Sequence, residues 1–126
     1  MQTVLVVEDE KVIRDGLRRL LSHEGYRVLT AENGREALDI IGSDHIDVVL
    51  CDLKMPVMGA IEVLEQVGES CPDLPVIILT GQGTPENAVE CMIKGAYDFI
   101  TKPFRTSDVI SLIKCAAEGL PPPPKS

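Results

Sequence analysis

Four points along this 126-residue chain carry side chains that could do chemistry together. Glu8-Asp9-Glu10 follows an apolar run at residues 3–7, Asp52 follows one at 48–51, Thr80-Gly81 follows one at 76–79, and Lys102-Pro103 follows the mixed stretch 98–101. If those stretches are strands of an open α/β sheet, their carboxyl ends border the crevice where such sheets bind ligands. Three carboxylates, a hydroxyl and an ammonium then converge on one edge. Glu8, Asp9 and Asp52 would repel one another there unless a cation or Lys102 offsets the charge, and hard oxygen ligands favour Mg²⁺. With a divalent ion beside it and Lys102 as a point charge opposite, Asp52 could attack a phosphoryl group in line, with catalysis coming from positioning and charge neutralisation. The Thr80 hydroxyl could donate to an oxygen of the acyl phosphate so formed. Taken singly, each residue has a plainer reading: Glu8 and Asp9 as caps of the following helix, Asp52 as a solvated loop carboxylate, Lys102 as a surface lysine. Their convergence outweighs those readings. No Ser/His or Cys/His pair competes, because His23 closes the first helical segment and His45 falls in a loop.

The elements that must position these groups show in the hydrophobic period. Runs 3–7, 48–51 and 76–79 are short, rich in β-branched residues and free of polar alternation, as expected of strands buried on both faces of a parallel sheet. Stretches 27–31 and 98–101 are more mixed and fit the edges of the same sheet. Between strands the period becomes helical: Ile13, Leu17, Leu20 and Leu21; Ala37, Leu38 and Ile41; Ile61, Leu64 and Val67; Ala88, Val89, Met92 and Ile93; Val109, Ile110, Ile113, Ala116 and Ala117. Gly25, Gly68 and Gly95 fall near helix ends, Asn33 or Thr84 can cap helix starts, and Pro85 suits a first helical turn. Five βα units with short links and right-handed crossovers make a doubly wound α/β layer.

Composition narrows the functions open to such a domain. Twelve basic and 20 acidic residues leave a net charge of −8, which disfavours direct binding to nucleic-acid backbone or anionic lipid. Aromatic residues make up 3% with no Trp, too few for base-stacking platforms. No apolar run reaches the roughly 18 residues that span a bilayer, and no basic region precedes residues 3–7, so the expected setting is the cytoplasm, away from the membrane. Cys51, Cys71, Cys91 and Cys115 lie 20, 20 and 24 positions apart without a CxxC pair, the pattern of reduced structural thiols. The ending Leu120-Pro121-Pro122-Pro123-Pro124-Lys125-Ser126 cannot continue a helix and is expected to be extended polyproline II.

Together these segments resemble the receiver domain of bacterial two-component response regulators, over the chain up to about Gly119. The likeness rests on Glu8-Asp9, on Asp52-Leu53-Lys54-Met55-Pro56, on Thr80-Gly81, and on Phe99-Ile100-Thr101-Lys102-Pro103-Phe104. It implies a flavodoxin-like (βα)5 receiver domain over residues 1–119 with strand order 2-1-3-4-5, and a proline-rich tail or linker start at 120–126. It implies Asp52 as phosphoacceptor, with Mg²⁺ held by Asp9, Asp52 and the Lys54 backbone carbonyl and helped by Glu8 through water. Lys102 would pair with the phosphoryl group, and the Lys102-Pro103 peptide would be cis, aiming the ammonium inward. Thr80 and Phe99 would form a switch pair, the hydroxyl moving to the phosphate and the ring into the vacated space. The implied partners are a sensor histidine kinase or phosphotransfer protein, a second copy through the face of the fourth helix, fifth strand and fifth helix, and a C-terminal output domain absent from this chain. Such a domain assists its own phosphorylation and dephosphorylation without being a turnover enzyme. The segment Leu79-Thr80-Gly81-Gln82-Gly83 and the Lys-Pro-Phe ending are similar to receivers of nitrogen-regulatory, sigma-54-activator type.

Departures from the family pattern are local. Phe99 stands where receivers often carry Tyr, and Gly59-Ala60 stands where a polar residue then Gly is usual. Lys54 and Gln82 occupy variable places two residues beyond Asp52 and Thr80, where side chains can screen attacking water. Three other classes compete. A haloacid-dehalogenase-like phosphatase needs a second Asp two places beyond its nucleophile, and Lys54 stands there. A flavodoxin-like flavin carrier would meet three carboxylates at its phosphate site. A pseudo-receiver that only docks would have no need of Asp9, Asp52 and Lys102.

Overall fold

The computed structural model describes residues 1–53, 55, 57–81 and 85–123, with Pro85 described by its backbone. Strands and helices alternate: β1 (Thr3–Val7), α1 (Lys11–His23), β2 (Arg27–Ala31), α2 (Gly34–Ser43), β3 (Val48–Asp52), α3 (Ala60–Ser70), β4 (Val76–Thr80), α4 (Pro85–Ile93), β5 (Asp98–Thr101) and α5 (Thr106–Ala117). The five strands form one sheet in the order β2-β1-β3-β4-β5, and every neighbouring pair is parallel. This is the doubly wound, flavodoxin-like fold and strand order that the resemblance implies.

Every residue of β1, β3 and β4 is buried, whereas β2 and β5 at the edges are mixed. The two-residue period of a strand divides the core between the sheet's two faces. Leu5, Val7, Val49, Cys51 and Ile78 pack with Val63, Leu64, Val67 and Cys91 of α3 and α4. Val4, Val6, Val48, Leu50, Ile77 and Leu79 pack with Leu17 and Leu21 of α1 and Val109 and Ile113 of α5. All four cysteines are free thiols. No helix among the described residues is long and apolar enough to cross a membrane.

Local punctuation follows the chemistry of single residues. Gly25 and Gly95 adopt left-handed φ values of 95° and 102°, which end the helices before them. Gly68 lies inside α3 instead. That helix runs on to Ser70 because its stop is set by Cys71, which precedes Pro72 and is thereby pushed out of the helical region. Asn33 caps α2, its side chain accepting from the Glu36 N–H at 3.0 Å. Thr84, the other residue read as able to cap a helix start, lies outside the described residues. In the turn after β3, α3 begins directly at Ala60 with Gly59 as a cap that offers no side chain, and Val57 takes φ 70°.

Of the apolar stripe expected on α4, only Ala88 is buried. Ala88 and Cys91 face the sheet, while Val89, Met92 and Ile93 are 57%, 39% and 78% exposed. At 3.6 residues per turn, Val89 and Ile93 sit about 100° and 140° round from Ala88. The small pair Ala88 and Cys91 takes the inward face of this 9-residue helix and leaves the larger residues outside.

Gly34 shows where backbone closeness governs the fold near the β3–α3 turn. Its N–H donates to the Met58 carbonyl at 3.0 Å, and a Cβ there would stand 2.7 Å from that oxygen and 2.7 Å from Val63 Cγ2. Gly34→Ala is expected to cost about 1–3 kcal/mol in urea unfolding, the usual cost of overpacking. Gly42→Ala, on the exposed side of the same helix with nothing within 4 Å, should instead stabilise by about 0.4–1 kcal/mol. Equal effects at the two positions would remove the close approach as the cause.

Candidate functional site

Strand alternation explains which groups meet. Leu50 faces the α1/α5 side of the sheet, so Asp52 two residues on faces the same side. Glu8 extends β1 by donating its N–H to Ala31 O at 3.0 Å, and Lys102 extends β5 by donating its N–H to Thr80 O at 2.7 Å. Continuing the alternation through Val6 and Ile100 turns both side chains to the Asp52 side. Thr80 follows Ile78 on the opposite face, as does Phe99, the register partner of Ile78. One carboxylate pair and one lysine thus share a face, with the hydroxyl and the aromatic ring across the sheet edge from them.

Lys102 Nζ lies 2.9 Å from Glu8 Oε1 and 3.1 Å from Asp52 Oδ1. The Lys102-Pro103 peptide is cis, as expected from the resemblance. The Glu8 side chain is fully buried, that of Asp52 is 11% exposed and that of Lys102 is 20% exposed. Glu8 Oε2 also accepts from the Glu10 N–H at 3.2 Å. Glu10 itself is the N-cap of α1 and makes no side-chain cap bond, so the plain capping reading of the acidic run holds only for that one contact. Asp9 is exposed beside them.

Burial raises the pKa of Glu8, and the neighbouring Asp52 charge adds to the rise; the Lys102 hydrogen bond offsets only part of it. Asp52 is raised likewise, by burial first and by Asp9 next among the raising effects, against the pull of Lys102. For Lys102, burial works downward but the hydrogen bonds and charges of Glu8 and Asp52 outweigh it, so its pKa rises. Burial also raises Cys51, next to Asp52, far above the ordinary thiol range, which makes it an inert core thiol.

One oxygen from each of Glu8, Asp9 and Asp52 lies within 4.8 Å of the other two, an all-carboxylate donor set that suits a hard divalent cation such as Mg²⁺. The residues therefore fit the ion that the sequence suggests. Lys54, whose backbone carbonyl the resemblance adds to this set, lies outside the described residues, as does Gln82. Two features escaped the sequence reading. Arg14 of α1 is folded back on the Glu8–Asp9 backbone, and its side chain is only 12% exposed. Ile13, Lys102, Pro103 and Phe104 line a shallow apolar cavity of about 590 Å³ beside the site. Ile13 was read as part of the α1 apolar stripe and Arg14 drew no reading, because helical spacing carries no signal for a side chain that turns back onto a preceding loop.

Comparison with known proteins now decides the family. The family model described as the response regulator receiver domain matches residues 4–114. The chain belongs to this receiver-domain family. Response regulator MprA of Mycolicibacterium vanbaalenii is 39% identical over 111 residues, covering 88% of this chain and 48% of the relative. MprA of Mycobacterium avium is 37% identical, again over 88% of this chain and 49% of the relative. The receiver thus spans about half the length of the curated relatives it matches. Among solved structures, a receiver domain protein from Clostridium thermocellum superposes with TM-score 0.89 at 35% identity, covering 94% of this chain and 95% of that one. The beryllofluoride-activated NtrC4 receiver domain dimer gives 0.88 at 38% identity, covering 94% and 98%. NtrX from Brucella abortus gives 0.88 at 35% identity, covering 94% of this chain but 27% of that longer one. The phosphatase, flavin-carrier and docking-only readings are not favoured by these likenesses.

The raised Asp52 pKa has a testable sign. Its folded-state pKa lies above the unfolded value, so ionised Asp52 lowers stability, and the loss sets in as pH rises from the ordinary carboxylate range through the raised pKa. Asp52→Asn should therefore melt higher than the unaltered receiver at pH 7–8 in chelator-treated buffer. The gap should close below about pH 4, where both carboxyl states are protonated. Thermal unfolding across that range checks it, and a lower melting temperature for the variant at neutral pH would contradict it.

Proposed function

We propose that this receiver accepts a phosphoryl group onto Asp52 from the phosphohistidine of a sensor histidine kinase or phosphotransfer protein. The observation that carries the proposal is the Lys102 ammonium held between Glu8 and Asp52 at 2.9 and 3.1 Å within a three-carboxylate cluster. An Asp52 oxygen attacks phosphorus as the P–N bond to the donor imidazole breaks, and the bond electrons leave with that ring. Burial leaves the Asp52 carboxylate poorly solvated, so little hydration must be removed before attack. Lys102, already within hydrogen-bond reach of Asp52, is placed to pair with the incoming phosphoryl oxygens. Thr80 at the end of β4 is the hydroxyl donor for the same group, and Phe99 on its face of the sheet is its switch partner. Asp9 and Asp52 would ligate Mg²⁺ directly, with the Lys54 carbonyl, and Glu8 through water. When bound, the ion supplies charge neutralisation at the phosphoryl oxygens. The same arrangement serves the return step, in which water attacks phosphorus and Asp52 leaves, so the receiver assists its own phosphorylation and dephosphorylation.

The surroundings support a partner helix as donor. Ile13, Pro103 and Phe104 give an apolar landing beside Lys102, and Val12, which precedes Ile13 in α1, is 85% exposed. Outward signalling would use α4, β5 and α5, where Val89 and Ile93 are already exposed, with a second copy or an output domain as receiving partner. Moving a two-state switch from 1:99 to 99:1 takes roughly 5.5 kcal/mol of differential stabilisation, a scale that contacts of the phosphoryl group with Lys102 and Thr80 can supply together. Residues 1–119 would be the receiver unit and 120–126 a proline-rich tail or linker start, working in the cytoplasm without direct contact to nucleic acid.

Acetyl phosphate with Mg²⁺ should add a single phosphoryl group to the chain, read by intact mass. Asp52→Asn should abolish the addition, and persistent labelling of that variant would move the acceptor elsewhere. Lys102→Ala should slow it by about 10²-fold, in line with loss of one charge-stabilising donor. Its circular dichroism should stay native; a full-speed variant would remove Lys102 from the chemistry.

A further inference from the structure

Arg14 closes the first turn of α1, its N–H donating to Glu10 O at 2.9 Å, and its side chain reaches back over the loop that follows β1. There Nη1 donates to Glu8 O at 3.0 Å and lies 3.4 Å from Asp9 O, while Nη2 lies 3.5 Å from Glu32 Oε1 after β2. We infer that Arg14 is a positioning residue for the cation-binding carboxylates: by gripping the carbonyls of Glu8 and Asp9 it sets both side chains toward Asp52. The inference rests on the proposed Mg²⁺-dependent phosphoryl transfer and goes beyond it, since Arg14 touches no carboxylate of the cluster.

A guanidinium suits the task because its donors are fixed in a planar fork, so one group can hold two successive peptide carbonyls and a carboxylate of the next loop. Successive carbonyls held this way orient two peptide planes, and with them the directions in which the Glu8 and Asp9 side chains leave the backbone. Without the grip, three like charges at one sheet edge favour any loop arrangement that spreads them. Glu32, 62% exposed, occupies the outer end of the guanidinium and offsets part of its charge.

Charge alone predicts the opposite outcome, and this makes the inference testable. A nearby cation repels Mg²⁺, so if Arg14 acted only through its charge, removing it would tighten Mg²⁺ binding. If it positions ligands, removing it weakens binding, and groups one step behind the ligands are typically worth about 10–100-fold in metal affinity.

The experiment is calorimetric titration of MgCl₂ into the 126-residue chain, its Arg14→Ala and Arg14→Lys variants, and Glu32→Gln, each with acetyl phosphate labelling rates at saturating Mg²⁺. The expected result is about tenfold weaker Mg²⁺ binding by Arg14→Ala, with labelling at saturation within about threefold of the unaltered chain. Arg14→Lys, which keeps the charge but not the fork, should recover less than half of the lost affinity on a logarithmic scale, and Glu32→Gln should bind nearly as the unaltered chain does. Unchanged or tighter binding by a folded Arg14→Ala would overturn the inference and leave the proposed function standing. Should that variant not fold, full affinity in Arg14→Lys would overturn it equally. Absence of Mg²⁺ binding by the unaltered chain would overturn the functional reading and this inference with it.

Discussion

A single ammonium shared by two buried carboxylates governs the upper edge of this sheet. Lys102 comes from the end of β5, Asp52 from the end of β3 and Glu8 from the end of β1, and in the order β2-β1-β3-β4-β5 the lysine must reach past β4 to meet them. Burying a carboxylate without a partner is costly, and two of them together more so. Burial raises the pKa values of Glu8 and Asp52 even with the lysine beside them. Three carboxylates thus face one ammonium at this edge, an excess of negative charge that suits a divalent cation. A divalent cation would offset that excess, and Lys102 offers its hydrogen bonds to an anionic group brought beside the ion, so the edge with the costliest charges is also the chemically receptive one.

Much of this was legible in the residues because one rule links position to chemistry. Apolar runs without alternation mark buried parallel strands, and the polar residue that ends each run must stand at the carboxyl edge. Asp52 and Thr80 turned out to belong to their strands, since a residue at the strand end still takes part in the ladder even when its side chain faces the crevice. The edge assignments of β2 and β5 followed from their mixed composition. Asn33 was readable as a cap because its side chain needs no tertiary partner to do that work.

What escaped was set by tertiary contact. The inward face of α4 is chosen by fit to the sheet, and a period of 3.6 cannot say whether two small residues or three large ones will take it. Gly68 carried the composition of a helix stop, but the proline at 72 decides where α3 ends. Arg14 lies six residues from Glu8 on a helix with several charges, and only the path of the loop after β1 shows that it turns back on the backbone instead of into water.

The same topology determines where a change at Asp52 would be felt. β1 and β3 are each held by two neighbours and buried at every position, whereas β5 is a 4-residue edge strand paired with β4 alone and only partly buried. Short edges with few buried contacts lie at the low end of local stability. Lys102 ties this weakest strand to the chemistry, and Phe99 stands three residues earlier on the same strand. In the proposed reaction, a phosphoryl group on Asp52 that drew on Lys102 would bear first on this short edge strand. The neighbouring helix α4, which among its described side chains buries only Ala88 and Cys91 and leaves Val89 and Ile93 in solvent, adds little restraint of its own. The deep strands carry Glu8 and Asp52 while the shallow edge strand carries Phe99 and leads to Lys102, a division that suits the proposed switch, in which the site would both hold a charge and report it.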